Sequence, residues 1–309
     1  MRIAVIGRTR LLLEAARAAA AAGFSIAVVW TCRAETYYRC PEEEFEEFAA
    51  DVGAAFVNDE RINSDASRRR LEALGCDAAI SANWLTLIRR PVLDVFRLGV
   101  LNVHFGDLPR YRGNAAVNWA ILNGENVVGV CIHRMTGQLD AGPVLLRKHF
   151  ELGPHTYVGD VYEWGEAGVP KWFVEVLAGL ADGTIAAEQQ SVDPGAGLRC
   201  YARRPEDSRI DWSWPVERVY RMVRASSHPF SGAFSTLEGT SRVTIWRARP
   251  VDNRGAFLAI PGQVCHAIDN DPVIACADGT LRLTEIDVEG VPRERAKRVV
   301  LRTLRNRLT

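Results

Sequence analysis

"RIAVIGRTRLLLEAARAAAAAGFSIAVVWT", residues 2–31, is the stretch that decides the fold. It opens on a short continuous apolar run that closes at Gly7, the pattern of a strand buried on both faces. "RLLLEAARAAAAAG" (10–23) follows with strong helix formers and ends on a glycine suited to a left-handed cap. "SIAVVWT" (25–31) is a second buried strand. A strand, a helix and a strand at this spacing predict a parallel sheet joined by right-handed crossovers.

The series continues outward. "DAAISA" (77–82) and "GVLNVH" (99–104) read as further strands, with "SRRRLEALG" (67–75) as an intervening helix before the first of them. "NAAVNWAILNG" (114–124) reads as a helix, and "VVGVCIHRM" (127–135) and "GPVLLRKHFEL" (142–152) as strands. At 193–209, "DPGAGLRCYARRPEDSR", the composition turns to Pro, Gly and charge, which marks a linker. A helix, "VERVYRMVRAS" (216–226), precedes several short alternating strands separated by turn residues, the pattern of a small barrel or sandwich. The expected architecture is α/β. A Rossmann-like, mostly parallel sheet domain covers 1–192, a linker 193–209, and a smaller β-rich, OB-like barrel domain 210–309. The final run, "PRERAKRVVLRTLRNRLT" (292–309), holds seven basic residues and one acidic one and reads as a solvated helix face.

Composition narrows the function classes. Lys plus Arg equals Asp plus Glu at 38 each, so there is no general pull towards nucleic acid or an anionic membrane. The seven cysteines are odd in number and scattered without a Cys-x-x-Cys pair, which fits a reducing compartment. The first residues enter a strand directly, and no apolar run is long enough to span a bilayer, so a soluble cytoplasmic protein is expected. Dinucleotide binding is disfavoured. The first turn has a single glycine, Gly7, and places Arg8 and Arg10 where a backbone approach to pyrophosphate needs glycines. No clustered metal-ligand set is present, so no metal is expected. His133, His149, His155 and His266 stand outside any motif and read as surface or incidental residues.

"LNVHFGDLPRYRG" (101–113) breaks the pattern of a buried strand. Residues two apart in a strand share a face. Asn102 and His104 therefore project together from the carboxyl end of their strand, where open α/β sheets place ligands. Asp140 follows in a Gly-flanked loop, "TGQLDAGPV" (136–144). Asn can donate to an oxyanion, His can take a proton, and Asp can orient the imidazole. No Ser or Cys accompanies them as a nucleophile, so the attacking atom should come from a substrate. The same residues also suit a strand cap and a turn.

"NVHFGDLPRYRGNAAVNWAILNG" followed by "VVGVCIHRMTGQLDAGPVL" resembles the folate-dependent formyltransferases, a family that includes methionyl-tRNA, glycinamide ribonucleotide and sugar N-formyltransferases. "RPEDSRIDW" with "VYRMVRASSHPFSGAFS" resembles the entry to the second domain of its two-domain members. The resemblance implies catalytic roles for Asn102, His104 and Asp140, with 10-formyltetrahydrofolate as the donor. It places the donor against "SANWLTLIRRPVL" (81–93), with Trp84, Leu85, Ile88 and Gly137 as donor-binding residues. Phe105, Arg110 and Arg112 are expected on the acceptor side, the arginines holding a phosphate or carboxylate. Phe105-Gly106-Asp107 departs from the family's usual residues after the catalytic His, so the acceptor is less defined than the reaction.

The acceptor is expected to be a small amine, an amino sugar or a related natural-product amine. A tRNA enzyme needs a basic surface, and the segment where tRNA enzymes carry a basic insertion is here "TCRAETYYRCPEEEFEEF" (31–48), with six acidic and two basic residues. Methionyl-tRNA formyl transfer, or transfer of a related formimino group, is the alternative. No membrane partner is expected, and a homodimer is compatible with the sequence.

Overall fold

The computed structural model describes residues 1–34, 40–191, 193–252 and 258–309. In chain order, β1 (Arg2–Gly7), α1 (Arg10–Ala21), β2 (Ser25–Thr31), α2 (Glu42–Asp51), β3 (Ala55–Asn58), α3 (Asp65–Leu74), β4 (Ala78–Ala82), α4 (Arg90–Leu93) and β5 (Gly99–His104) come first. β6 (Arg112–Gly113), α5 (Ala116–Asn123), β7 (Val127–Arg134), β8 (Val144–Glu151), α6 (Val158–Ala181) and β9 (Arg199–Cys200) follow. The rest are α7 (Val216–Ser226), β10 (Ala233–Leu237), β11 (Ser241–Val251), β12 (Val264–Ile268), β13 (Asp271–Ala275), β14 (Thr280–Val288) and α8 (Arg293–Val300). The chain forms two compact units. The first holds 1–113, 128–150 and 163–200, and the second holds 114–127, 151–162 and 201–309.

The first unit is built on a seven-stranded sheet in the order β3-β2-β1-β4-β5-β7-β8. β1 pairs in parallel with β2 and β4, and β4 with β5, whereas β7 runs antiparallel to β5. The sheet is therefore mostly parallel, as the strand–helix alternation predicts. Its central strands β1, β2 and β4 are almost wholly apolar and buried because both faces are covered. Ile3 and Val5 join Leu12, Leu13, Ala16 and Ala19 of α1 and Phe173 and Leu177 of α6 in one core. Ala4 and Ile6 join Val28, Trp30, Leu71 and Phe96 in the other. Each such buried aliphatic side chain contributes ~1.5–3 kcal/mol.

Besides the one-turn α4, two helices fall where sequence periodicity places no element. α2 is short and follows described residues that stop at 34 and resume at 40, so part of the acidic stretch 31–48 lies outside the described residues. α6 carries Pro170 inside it along with four glycines, residues that mask a helical pattern. Within the stretch expected to be a linker, Arg199 and Cys200 pair with Arg112 and Gly113, so this part of it is held to the first unit.

The second unit carries an antiparallel sheet in the order β10-β11-β14-β13-β12. Val243, Ile245, Leu281, Leu283 and Ile286 fill its core together with Val219 and Val223 of α7. The C-terminal basic run differs from the expected solvated helix. Only Arg293–Val300 is helical. The tail beyond it bonds both sheet edges: Thr309 N–H donates to Thr236 O at 2.8 Å, and Leu308 N–H donates to Gly262 O at 2.8 Å. Bridges Leu237–Leu308 and Gln263–Arg307 lie on the same two edges. The tail thus closes the open sheet into a ring, leaving neither edge unpaired there.

Among the described residues no helix is long and apolar enough to cross a membrane.

Candidate active site

Register across the sheet assembles the site. Ile6 lies opposite Ser81, Ser81 opposite Asn102, and Asn102 opposite His133 on β7. These positions share one face, and His104 lies two residues beyond Asn102 on the same face. The β7–β8 turn brings Asp140 to the same place, with its backbone in the left-handed region at φ 47°.

His104 is buried. Its Nε2 lies 2.7 Å from the carbonyl oxygen of Tyr111. A carbonyl only accepts, so Nε2 carries the hydrogen and donates it. Nδ1 lies 3.6 Å from Asp140 Oδ2. Burial pushes the imidazole pKa down, against the raising effects of Asp140 and the Tyr111 carbonyl; the neighbouring His133 adds to the lowering, and the net shift is downward. The ring is therefore neutral near pH 7, with a bare Nδ1 facing a carboxylate. Gly106 makes this geometry fit. A Cβ there would sit 2.5 Å from His104 Nε2 and 2.6 Å from Tyr111 O.

Asp140 is held charged. Burial works against its ionisation, but His133, His104 and the Gly113 N–H together outweigh it and bring the carboxyl to about 2. Gly113 N–H donates to Oδ2 at 2.8 Å, and His133 Nε2 lies 3.5 Å from Oδ1.

His133 is the correction to the sequence reading. It is buried at 1 % exposure in the middle of the site. Asn102 Nδ2 lies 3.2 Å from His133 Nε2, and His133 Nδ1 lies 3.3 Å from Arg134 O. His133 Nε2, which faces both Asn102 Nδ2 and Asp140 Oδ1, can take at most one of the two Asn102 amide hydrogens, so the second is left for a ligand. The signal available in sequence was its place in "VVGVCIHRM", but only the antiparallel register of β7 with β5 puts it opposite Asn102. His104, His133 and Asp140 meet here without being placed to share a metal ion. Cys131, opposite His104 on β7, is a poor nucleophile, because burial pushes its thiol up to about 11.

The remaining expected site residues fall into two groups. Ile88 and Gly137 line one cleft of about 690 Å³ with Asn63, Thr86, Leu87 and Arg89. Trp84 instead packs partly buried on the core, its indole N–H unpaired among the described residues. Leu85 is 45 % exposed and does not line that cleft. Phe105 packs on the core with its ring over Gly165 of α6. Arg110 is exposed, its guanidinium 5.6 Å from the Tyr111 ring. Arg112 is spent inside the chain: its Nε and Nη2 donate to Gln190 Oε1 at 3.1 and 2.6 Å.

Comparison with known proteins identifies the family. The family model described as formyl transferase matches residues 1–177, and that of the formyl transferase C-terminal domain matches 203–301. The methionyl-tRNA formyltransferase of Solibacter usitatus is 34% identical over 231 residues, 75% of this chain and 72% of that protein. HypX from Aquifex aeolicus, solved with tetrahydrofolic acid, superposes with a TM-score of 0.66 at 20% identity. That match covers 96% of this chain but only 46% of HypX, so this chain spans less than half of that protein. An N-formyltransferase from Helicobacter canadensis, solved with folinic acid and dTDP-3-aminofucose, superposes with a TM-score of 0.65 at 12% identity, covering 91% of this chain and 98% of that one. The two family models together cover most of the sequence and the fold agrees with them: the chain belongs to the formyl transferase family.

Proposed function

We propose that the chain moves a formyl group from 10-formyltetrahydrofolate to the primary amine of a small acceptor, an amino sugar or a similar natural-product amine. The observation that carries the reading is the neutral, buried His104 with a bare Nδ1 beside the ionised Asp140, next to an Asn102 amide with a hydrogen to spare. The cleft that includes Ile88 and Gly137 is of a size that suits a folate-like donor.

The donor supplies the activated formyl carbon: the amine nitrogen forms the new C–N bond, and the bond to the folate nitrogen breaks, giving the formamide and tetrahydrofolate. His104 Nδ1 takes the proton that the amine nitrogen loses. The imidazolium so formed is stabilised by Asp140 at 3.6 Å, while the Tyr111 carbonyl keeps the ring in place. Asn102, held by His133, donates to the oxygen as it gains charge. The proton on His104 then serves the departing nitrogen. No side chain forms a covalent bond.

The Asp140 of this arrangement differs in role from a triad aspartate. It does not fix the tautomer, since Tyr111 does that from the opposite nitrogen. It stabilises the charge on the ring.

A second reading, transfer to methionyl-tRNA, is favoured by the 34% identical relative from Solibacter usitatus. A transfer assay with formyl-tetrahydrofolate against a panel of amino sugars and charged initiator tRNA separates the two. Under the first reading a small amine is formylated, and His104→Ala lowers kcat by ~10²–10⁴ and Asn102→Ala by ~10²–10³. Near-wild-type turnover in either variant overturns the assigned roles.

A further inference from the structure

We propose that Gln190 is a positioning residue that holds the Asp140 turn in place beside His104. The inference rests on the catalytic reading of Asp140 and His104 and adds to it a residue from a distant part of the chain. Asp140 sits in a backbone conformation unfavourable for a residue with a side chain, φ 47°. Something must hold it there. The two carbonyls that flank the bend, those of Asp140 and Gly142, both accept hydrogen bonds from Gln190 Nε2, at 2.8 and 2.6 Å.

The register explains how Gln190 arrives. Val144 and Glu188 form an antiparallel bridge, each N–H donating to the other's carbonyl at 2.8 Å. Two residues on in one direction and two back in the other bring Gln190 opposite Gly142. The other end of the Gln190 amide accepts from Arg112 Nε and Nη2 at 3.1 and 2.6 Å. Arg112 immediately precedes Gly113, whose N–H holds the Asp140 carboxylate at 2.8 Å. Arg112 in turn is fixed by donating its own N–H to Leu198 O at 2.9 Å. One amide therefore ties together the backbone of Asp140 and the strand that grips its side chain. Both ends of that amide are used, and a carboxamide is the neutral group that can donate to two carbonyls while accepting from a guanidinium.

Loss of this tie frees the turn to relax, and the carboxylate moves away from His104. The groups facing the His104 ring are Asp140 from the β7–β8 turn, His133 from β7 and the Tyr111 carbonyl from the following loop. Of these, Gln190 touches only the Asp140 turn.

Two measurements on Gln190→Met, a variant of similar length without donors, test the proposal. The first is an NMR titration of the His104 ring protons, which needs no substrate. The midpoint is expected to move to lower pH, in the same direction as in Asp140→Asn, because the anion that favours imidazolium has moved. The second is a double-mutant cycle on kcat. Gln190→Met is expected to lose ~10²-fold in the wild-type background and little in the Asp140→Asn background. Arg112→Lys, which keeps the charge without the planar fork, serves as a milder second variant should Gln190→Met fail to fold, with a smaller shift in the same direction. An unmoved His104 titration in these variants, or equal losses in both backgrounds, overturns the role of Gln190. Wild-type turnover in Asp140→Asn itself instead overturns the catalytic reading, and the positioning role with it.

Discussion

At the scale of single residues, the chemistry of the site is set by which His104 nitrogen is committed. Nε2 is bound to the Tyr111 carbonyl at 2.7 Å, so only Nδ1 can act as a base. Burial lowers the ring's pKa from its ordinary value of 6.5, the Asp140 carboxylate opposes that shift, and the result is downward. In the proposed mechanism the neutral ring is the base. The kcat profile, measured with both substrates saturating, should therefore rise with pH at a midpoint below 6.5 and be flat through pH 7. In Asp140→Asn the group that favours the imidazolium is gone, so the midpoint should fall further while the plateau drops. A wild-type midpoint above 6.5 contradicts the burial argument, and an upward shift in Asp140→Asn contradicts the assignment of Asp140 as the stabilising anion.

At the scale of elements, the barrel of the second unit depends on a short tail. Gly262 has φ 86°, and a Cβ on it would lie 2.1 Å from Leu308 O. Gly262→Ala should cost about 1–3 kcal/mol and release the tail, seen as faster hydrogen exchange at the Leu308 and Thr309 amides. Gly239→Ala is the control, since Gly239 has a similar φ of 67° but open space around it; it should keep the tail amides protected. Equal exchange in the two variants would show that backbone strain, not the tail contact, is what Gly262 relieves. The same elements show what the sequence makes legible. β1, α1 and β2 are read correctly because local apolar periodicity carries them, and Asn102 with His104 because period-two spacing puts them on one face. His133 and Gln190 are hidden because they reach the site through strand register, Asn102 opposite His133 and Val144 opposite Glu188. The tail is hidden for the same reason. Its basic residues resemble a solvated helix locally, while its backbone pairs with strands far away in sequence.

At the scale of the whole molecule, the charge balance bears on the acceptor. The chain carries 38 basic and 38 acidic residues. Two of the basic groups in the C-terminal run are used internally. Arg293 pairs with Glu285 and Asp287, and Lys297 Nζ lies 2.6 Å from Asp271 Oδ1. In the first unit, α2 begins with Glu42, Glu43 and Glu44. A protein that neutralises six to ten phosphates loses about 10³–10⁵ in affinity between 50 and 200 mM salt. A small amine with at most a diphosphate engages far fewer charges. For an amino-sugar acceptor, kcat/KM should therefore change by less than about tenfold over that range, as expected for one or two charge contacts. The decisive comparison measures both acceptors on one preparation across the same salt series. Efficient formylation of charged initiator tRNA with a steep loss on adding salt, alongside inert amino sugars, would assign the chain to tRNA. Efficient, salt-tolerant formylation of an amino sugar would assign it to small-molecule biosynthesis, because the donor chemistry is common to both and only the acceptor's phosphates distinguish them.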